Sequence, residues 1–304
     1  MREEPANNVG AARPPEQLKV YVLPNLLTGA NLFCGFMALT KIVEADPELA
    51  SFNAVIRNAL GFILLAFVFD LLDGRVARWG GRESPFGREF DSLADLVSFG
   101  VAPAFLVHRI VLKDVFQEHQ EVGWFIASIY LLCGALRLAR FNCLSAMENS
   151  GGTKEFMGFP IPAAAGLVAS LTLFLLWLGD LDASRGGWRY ALPVFAKGNS
   201  RYVLPVILLF LSVMMVSQVK YPSFKTLDLH ARRPFTKMVA AILFIGLLLI
   251  MRMKILPIVL PVLFTAYLLY GFVRPRISRQ ARREIEEEVE EEEDEAEDAR
   301  QRQA

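Results

Sequence analysis

Four aspartates stand where an apolar sequence has little use for them: Asp70 and Asp73 end one long apolar stretch, and Asp91 and Asp95 begin the next. A carboxylate at membrane depth is expensive to keep charged, so such acids face a watery cavity, a cation or a metal. Their spacing narrows the choice. Asp70, Asp73, Gly74, Ala77 and Arg78 fall at i, i+3, i+4, i+7 and i+8, one stripe of a helix, while Gly87, Asp91 and Asp95 form a second stripe. If the two helices pack as neighbours across the connection at residues 79–86, the four carboxylates converge with one arginine. Cations must then offset their mutual repulsion. Hard oxygen ligands of this kind suit Mg²⁺ or Mn²⁺, and two such ions sharing carboxylates are a recurrent device for phosphoryl chemistry. Gly74, Ala77 and Gly87 lie on the same stripes. They leave room for a pyrophosphate to approach the backbone, or they permit close helix packing.

The elements that carry these residues read as membrane spans. Of the 304 residues, 54% are hydrophobic and 21% charged, and the apolar residues come in blocks long enough to cross a bilayer core. The expected fold is all-α, a polytopic membrane helix bundle of about eight transmembrane helices. The spans fall at about 22–43, 52–73, 88–112, 123–146, 160–179, 202–219, 236–252 and 255–273. Residues 1–20 form a cytoplasmic amino-terminal segment, 21–273 the membrane domain and 274–304 a charged tail without a buriable face. The first twenty residues do not read as a cleavable signal, so the first span is expected to stay as an anchor.

Charge sets the orientation. Arg75, Arg78, Arg82 and Arg88 follow the second span, Arg137, Arg140 and Lys154 accompany the end of the fourth, and Lys220, Lys225, Arg232, Arg233 and Lys237 follow the sixth. These segments share one side with both termini, which the positive-inside rule makes cytoplasmic. Twelve of the 32 acids lie between Glu284 and Asp298, and without residues 284–304 the chain has 20 acids against 30 Lys and Arg, a body of about +10 that suits anionic lipid. No nucleic-acid partner is expected. Cys34, Cys133 and Cys143 lie in or beside apolar runs and read as small membrane-core residues. His108, His119 and His230 share no spacing, and Trp124, Trp177 and Trp188 read as interfacial anchors.

Two further groups lie near the same side. Asn25, Thr28 and Asn31 recur at i, i+3 and i+6 in the first span, where a nucleotide, water or a neighbouring helix can satisfy them. Arg137 and Arg140 at i and i+3 suit a carboxylate or phosphate, or they snorkel to the interface.

The run from Asp70 to Arg78, then eight residues, then Gly87 to Asp95 resembles the full D-x2-D-G-x2-A-R-x8-G-x3-D-x3-D signature of the CDP-alcohol phosphatidyltransferases. The resemblance implies that Asp70, Asp73 and Asp91 bind two metal ions. It makes Asp95 the general base, which also approaches the second ion. Gly74, Ala77, Arg78 and Gly87 are then contacts to the CDP moiety. Within that family the chain is most similar to the members that use serine. The similarity is carried by the segments at 24–31, 91–103, 135–142 and 158–162, together covering roughly residues 20–180.

The expected reaction is transfer of a phosphatidyl group from CDP-diacylglycerol to L-serine, with Asn25 and Thr28 added to the CDP contacts and Arg137 and Arg140 at the acceptor. The enzyme is expected in the inner membrane as a homodimer. The same chemistry with glycerol 3-phosphate, inositol or choline is the main alternative. A cation transporter is a more distant one, because its acids would be spread over several spans near the midplane.

Overall fold

A computed structural model describes residues 21–79, 84–147, 156–184, 201–221 and 256–271. The expected span at 236–252, both terminal segments and Trp188 lie outside these residues. Within them the chain is helical: α1 (Val22–Glu44), α2 (Phe52–Trp79), α3 (Pro85–Val115), α4 (Gln120–Met147), α5 (Ile161–Ser184), α6 (Val203–Val216) and α7 (Leu256–Gly271). The first five are long and apolar enough to cross a membrane, and α6 and α7 are shorter apolar helices. A two-residue antiparallel pairing of Phe156–Met157 with Lys220–Tyr221 ties the connection before α5 to the one after α6.

Two of the boundaries that differ from the sequence reading bear on the site. Helix α2 runs to Trp79 rather than ending at 73, so Gly74 and Ala77 continue the stripe begun by Asp70. Helix α3 begins at Pro85, three residues earlier than expected. Ser84 caps it by accepting the Gly87 N–H at 3.0 Å, and Pro85 occupies the first turn, where its missing N–H costs nothing. This start signal places Gly87, Asp91 and Asp95 on successive turns of one helix.

Burial makes α3 the axis of the bundle, with 72% of an 18-residue apolar stretch enclosed against 33% for the corresponding stretch of each of α1, α2 and α4. Lipid is as apolar as leucine, so packing rather than water exclusion selects these contacts. Helix α5 meets its neighbours through Ala163, Ala164, Ala165 and Ala169, all buried, which lets backbones approach closely. Outward faces carry large apolar side chains such as Phe33 and Phe36 on α1, Leu132 and Leu136 on α4 and Val213 on α6, as a lipid boundary requires. Cys34 is buried and Cys133 half-buried, but Cys143 is exposed, so the core reading does not hold for it.

Helix α3 is pinned along its length. At the end remote from the aspartates, Arg109 donates from Nε and Nη2 to the Ala45 carbonyl at 2.9 and 2.5 Å. In the middle, Leu96–Val101 winds as a π-helix, and the buried Tyr130 hydroxyl of α4 donates to the Phe99 carbonyl at 3.1 Å. At the aspartate end, Asn142 of α4 hydrogen-bonds Ser92 at 3.0 Å and Glu89 at 3.1 Å. A further exposed pair, Arg57 with Asp180 at 2.6 Å, joins the start of α2 to the end of α5.

The turn into α5 requires glycine. Gly158 has φ +84°, and a Cβ there would run into the Met215 carbonyl oxygen. Gly158→Ala is therefore expected to destabilise the protein by about 1–3 kcal/mol, read as a lower melting temperature in detergent. At Gly61, where an added Cβ meets nothing within 4 Å, alanine should be neutral or slightly stabilising.

Candidate active site

The antiparallel path of the helices collects one end of each at one place: the start of α1, the end of α2, the start of α3 and the end of α4. There the structure brings Asp70, Asp91 and Asp95 together, with one oxygen from each lying within 4.8 Å of the others. Two unit charges that far apart repel by roughly 3.5 kcal/mol at an effective dielectric of 20. Three such groups do not stay charged together without a counterion.

The fit to a divalent ion is close. One oxygen from each of the three would be available to hold such an ion. The donors are all hard carboxylate oxygens, the type that Mg²⁺ and Mn²⁺ take. Asp73 sits differently. It is buried, feels the charges of Asp91 and Asp70, and accepts a hydrogen bond from Thr28 Oγ1 at 2.9 Å.

Helix α1 contributes more than the sequence reading credited. Thr28 reaches Asp73, and Asn31, fully buried, donates from Nδ2 to Asp95 Oδ1 at 3.1 Å. Asn31 was visible only as part of a polar repeat, and nothing in the spacing said which acid it would meet. Asn25 lies beside Gly87. A Cβ on that glycine would stand 3.4 Å from Asn25 Oδ1 and 3.2 Å from Ser84 Oγ, and the buried Asn25 Nδ2 has no hydrogen-bond partner. An enclosed donor without a partner beside a bare backbone turn is a natural place for a polar ligand atom. Gly74 and Ala77 are half-buried on α2, while the Arg78 side chain lies outside what the structure describes.

Arg137 faces the same cluster from α4. Its guanidinium is within electrostatic reach of Asp95 and Asp70, and its buried Nε has no hydrogen-bond partner. Tyr267 of α7, another residue the sequence reading passed over, lies in electrostatic reach of Arg137 and packs its ring 5.7 Å from that of Phe159. Arg140 follows one turn later and is half-buried.

Fold and site thus define a polytopic helical membrane protein with a cluster of carboxylates that could hold a metal ion at one end of its bundle. Residues 21–214 match the family described as CDP-alcohol phosphatidyltransferase. The chain belongs to the CDP-alcohol phosphatidyltransferase family. It is 31% identical over 255 residues to the CDP-diacylglycerol–serine O-phosphatidyltransferase of Helicobacter pylori, covering 84% of this chain and 91% of that one. It is 32% identical over 202 residues to the archaetidylserine synthase of Methanothermobacter thermautotrophicus, covering 66% of this chain and 69% of that one. With the CDP-diacylglycerol–serine O-phosphatidyltransferase of Saccharomyces cerevisiae it shares 39% identity over 153 residues, which cover 49% of this chain and 52% of the relative. The aspartates belong to a transferase, and the transporter alternative falls away.

The carboxylate cluster predicts metal binding that can be read without turnover. Purified protein should take up Mn²⁺, followed by the relaxation of water protons. Asp70→Ala with Asp91→Ala should weaken that binding at least about 10-fold. Unchanged uptake in the double variant would remove the metal assignment.

Proposed function

We propose that the protein transfers the phosphatidyl group of CDP-diacylglycerol to the hydroxyl of L-serine, forming phosphatidylserine and CMP. The observation that carries this reading is the convergence of Asp70, Asp91 and Asp95 with Arg137 at one end of the bundle. The relatives' names supply the acceptor. Those of the Helicobacter and Methanothermobacter proteins specify serine with two different lipids, which ties the shared sequence to the acceptor more than to the chains of the donor.

In the proposed reaction the serine hydroxyl oxygen attacks the lipid-proximal phosphorus. The new O–P bond forms as the bond to CMP breaks, CMP leaves with the electron pair, and Asp95 takes the hydroxyl proton. Asp70, Asp73 and Asp91, with Asp95 at the second position, are the groups that would hold two divalent ions. When bound, Mg²⁺ or Mn²⁺ supplies positive charge that offsets the pyrophosphate and the departing phosphate.

The chain's own residues divide the remaining work. Asn25 and Gly87, with Gly74, Ala77 and Arg78, form the CDP side, where glycine and alanine let the pyrophosphate meet backbone. Thr28 belongs to this side through Asp73, which it holds by a hydrogen bond. Arg137, with Arg140, forms the acceptor side. Serine differs from a plain alcohol by its carboxylate, and a guanidinium beside the base binds that group while keeping the hydroxyl near Asp95. The lipid chains stay in the bilayer and the polar reactants enter from the cytoplasm, the side assigned by the basic connections. The assembly is proposed as a homodimer, on the family resemblance.

An acceptor screen tests the reading. With CDP-diacylglycerol in mixed micelles, serine should support CMP release at a kcat/KM at least about 10²-fold above glycerol 3-phosphate, inositol or choline. A better rate with any of those three would reassign the acceptor. Arg137→Lys keeps the charge but loses the fork, and is expected to lower kcat/KM for serine by roughly 10- to 150-fold with little change in the KM for CDP-diacylglycerol. A loss confined to CDP-diacylglycerol would move Arg137 to the phosphate side.

A further inference from the structure

Beyond the aspartates, a two-bond polar coupling at the site runs between α1 and α3. Asn31 Nδ2 donates to Asp95 Oδ1 at 3.1 Å, while the Asn31 backbone carbonyl accepts the Ser98 hydroxyl at 3.0 Å. Asn31 and Ser98 are both fully buried. Ser98 stands one turn beyond Asp95, within the π-helical segment. One turn beyond Asn31 stands Gly35. A Cβ at Gly35 would collide with Ser98 Oγ and come within 2.7 Å of Ser98 Cα. The two helices therefore touch backbone to side chain at Gly35 and Ser98, and that contact brings so short a side chain as asparagine within reach of Asp95.

A helix-packing role alone does not account for Asn31. Its Oδ1 is buried with no hydrogen-bond partner, so the amide is not part of a saturated network. A buried acceptor left open is a cost that an apolar residue of the same shape avoids. What the amide does make is one bond to one oxygen of the aspartate. The last torsion of an aspartate is broad and roughly two-fold, so a hydrogen bond to one oxygen selects an orientation and fixes where the second oxygen points.

From this geometry we infer that Asn31 is a positioning residue: it orients the Asp95 carboxylate for proton transfer, and the Gly35–Ser98 contact sets the distance at which it does so. The inference rests on the reading of Asp95 as the proton acceptor. Asn31 acts through Asp95 and does not itself bind the donor or the acceptor.

The test compares Asn31→Leu, Asn31→Ser and Asp95→Asn, singly and with each Asn31 change placed in the Asp95→Asn background. CMP release is followed in mixed micelles, and CMP binding serves as the check of folding. Leucine keeps the branched shape without the donor, and serine keeps polarity without the reach. Each Asn31 variant should lower kcat by about 10- to 100-fold and leave both KM values within about 3-fold, because a misplaced catalytic group costs turnover rather than binding. Asp95→Asn should lose at least about 10²-fold, and the Asn31 changes should add no further loss in that background. Normal kcat in both Asn31 variants, a loss seen mainly in the KM for CDP-diacylglycerol, or multiplying losses in the double variants would overturn the positioning role. Near-normal turnover of Asp95→Asn would instead overturn the base reading beneath it, so the two failures are distinguishable. If leucine prevents CMP binding, the serine variant decides.

Discussion

Several carboxylates must be held close together at the end of an apolar bundle, and the rest of the structure answers to that constraint. At under 5 Å, each pair of charged aspartates costs kilocalories in a medium that water barely reaches. A protein can relieve such a cluster by spreading the acids apart, or it can use the repulsion to hold cations. Here the acids sit on successive turns of two adjoining helices, with Arg137 as the facing side-chain charge. A compact divalent ion would relieve that repulsion.

Holding the cluster needs rigid elements, and the packing supplies them without help from water. Small residues on α5, the π-helical stretch of α3 and hydrogen bonds at Arg109, Tyr130 and Asn142 lock α3 in place from end to end. Helix α1 then lays one polar group on each acidic stripe, Thr28 on Asp73 and Asn31 on Asp95. Both bonds lie on one helix that packs closely against α2 and α3. A displacement of α1 therefore changes both aspartates at once.

The proposed placement at the membrane boundary follows from the same physics. The proposed donor is half lipid and half nucleotide, so a centre deep in the bundle would have to desolvate a pyrophosphate. A centre in bulk water would have to extract acyl chains. A centre at the bilayer boundary, where the ends of α2, α3 and α4 are proposed to lie, would keep both costs small. Arg137, with Tyr267 of α7 in electrostatic reach, faces the same carboxylates.

Much of this was legible in the chain, for a plain reason. Helical periodicity is local, so the spacing of Asp70, Asp73, Asp91 and Asp95 gave two stripes, and span length gave the bundle. The Ser84–Pro85 pair is also a readable helix start. What the chain could not state was pairing across helices. Asn25, Thr28 and Asn31 form one repeat in sequence, yet they face Gly87, Asp73 and Asp95 respectively, and those partners lie 45 to 64 residues away. Tyr267 is farther still from Arg137. The sequence by itself determined the helices, the acid stripes and the family chemistry, because each depends on residues within a few turns. Only the tertiary structure decided which polar group holds which carboxylate, because that is set by the close approach of backbones at Gly35 and Ser98, a distance no local pattern encodes.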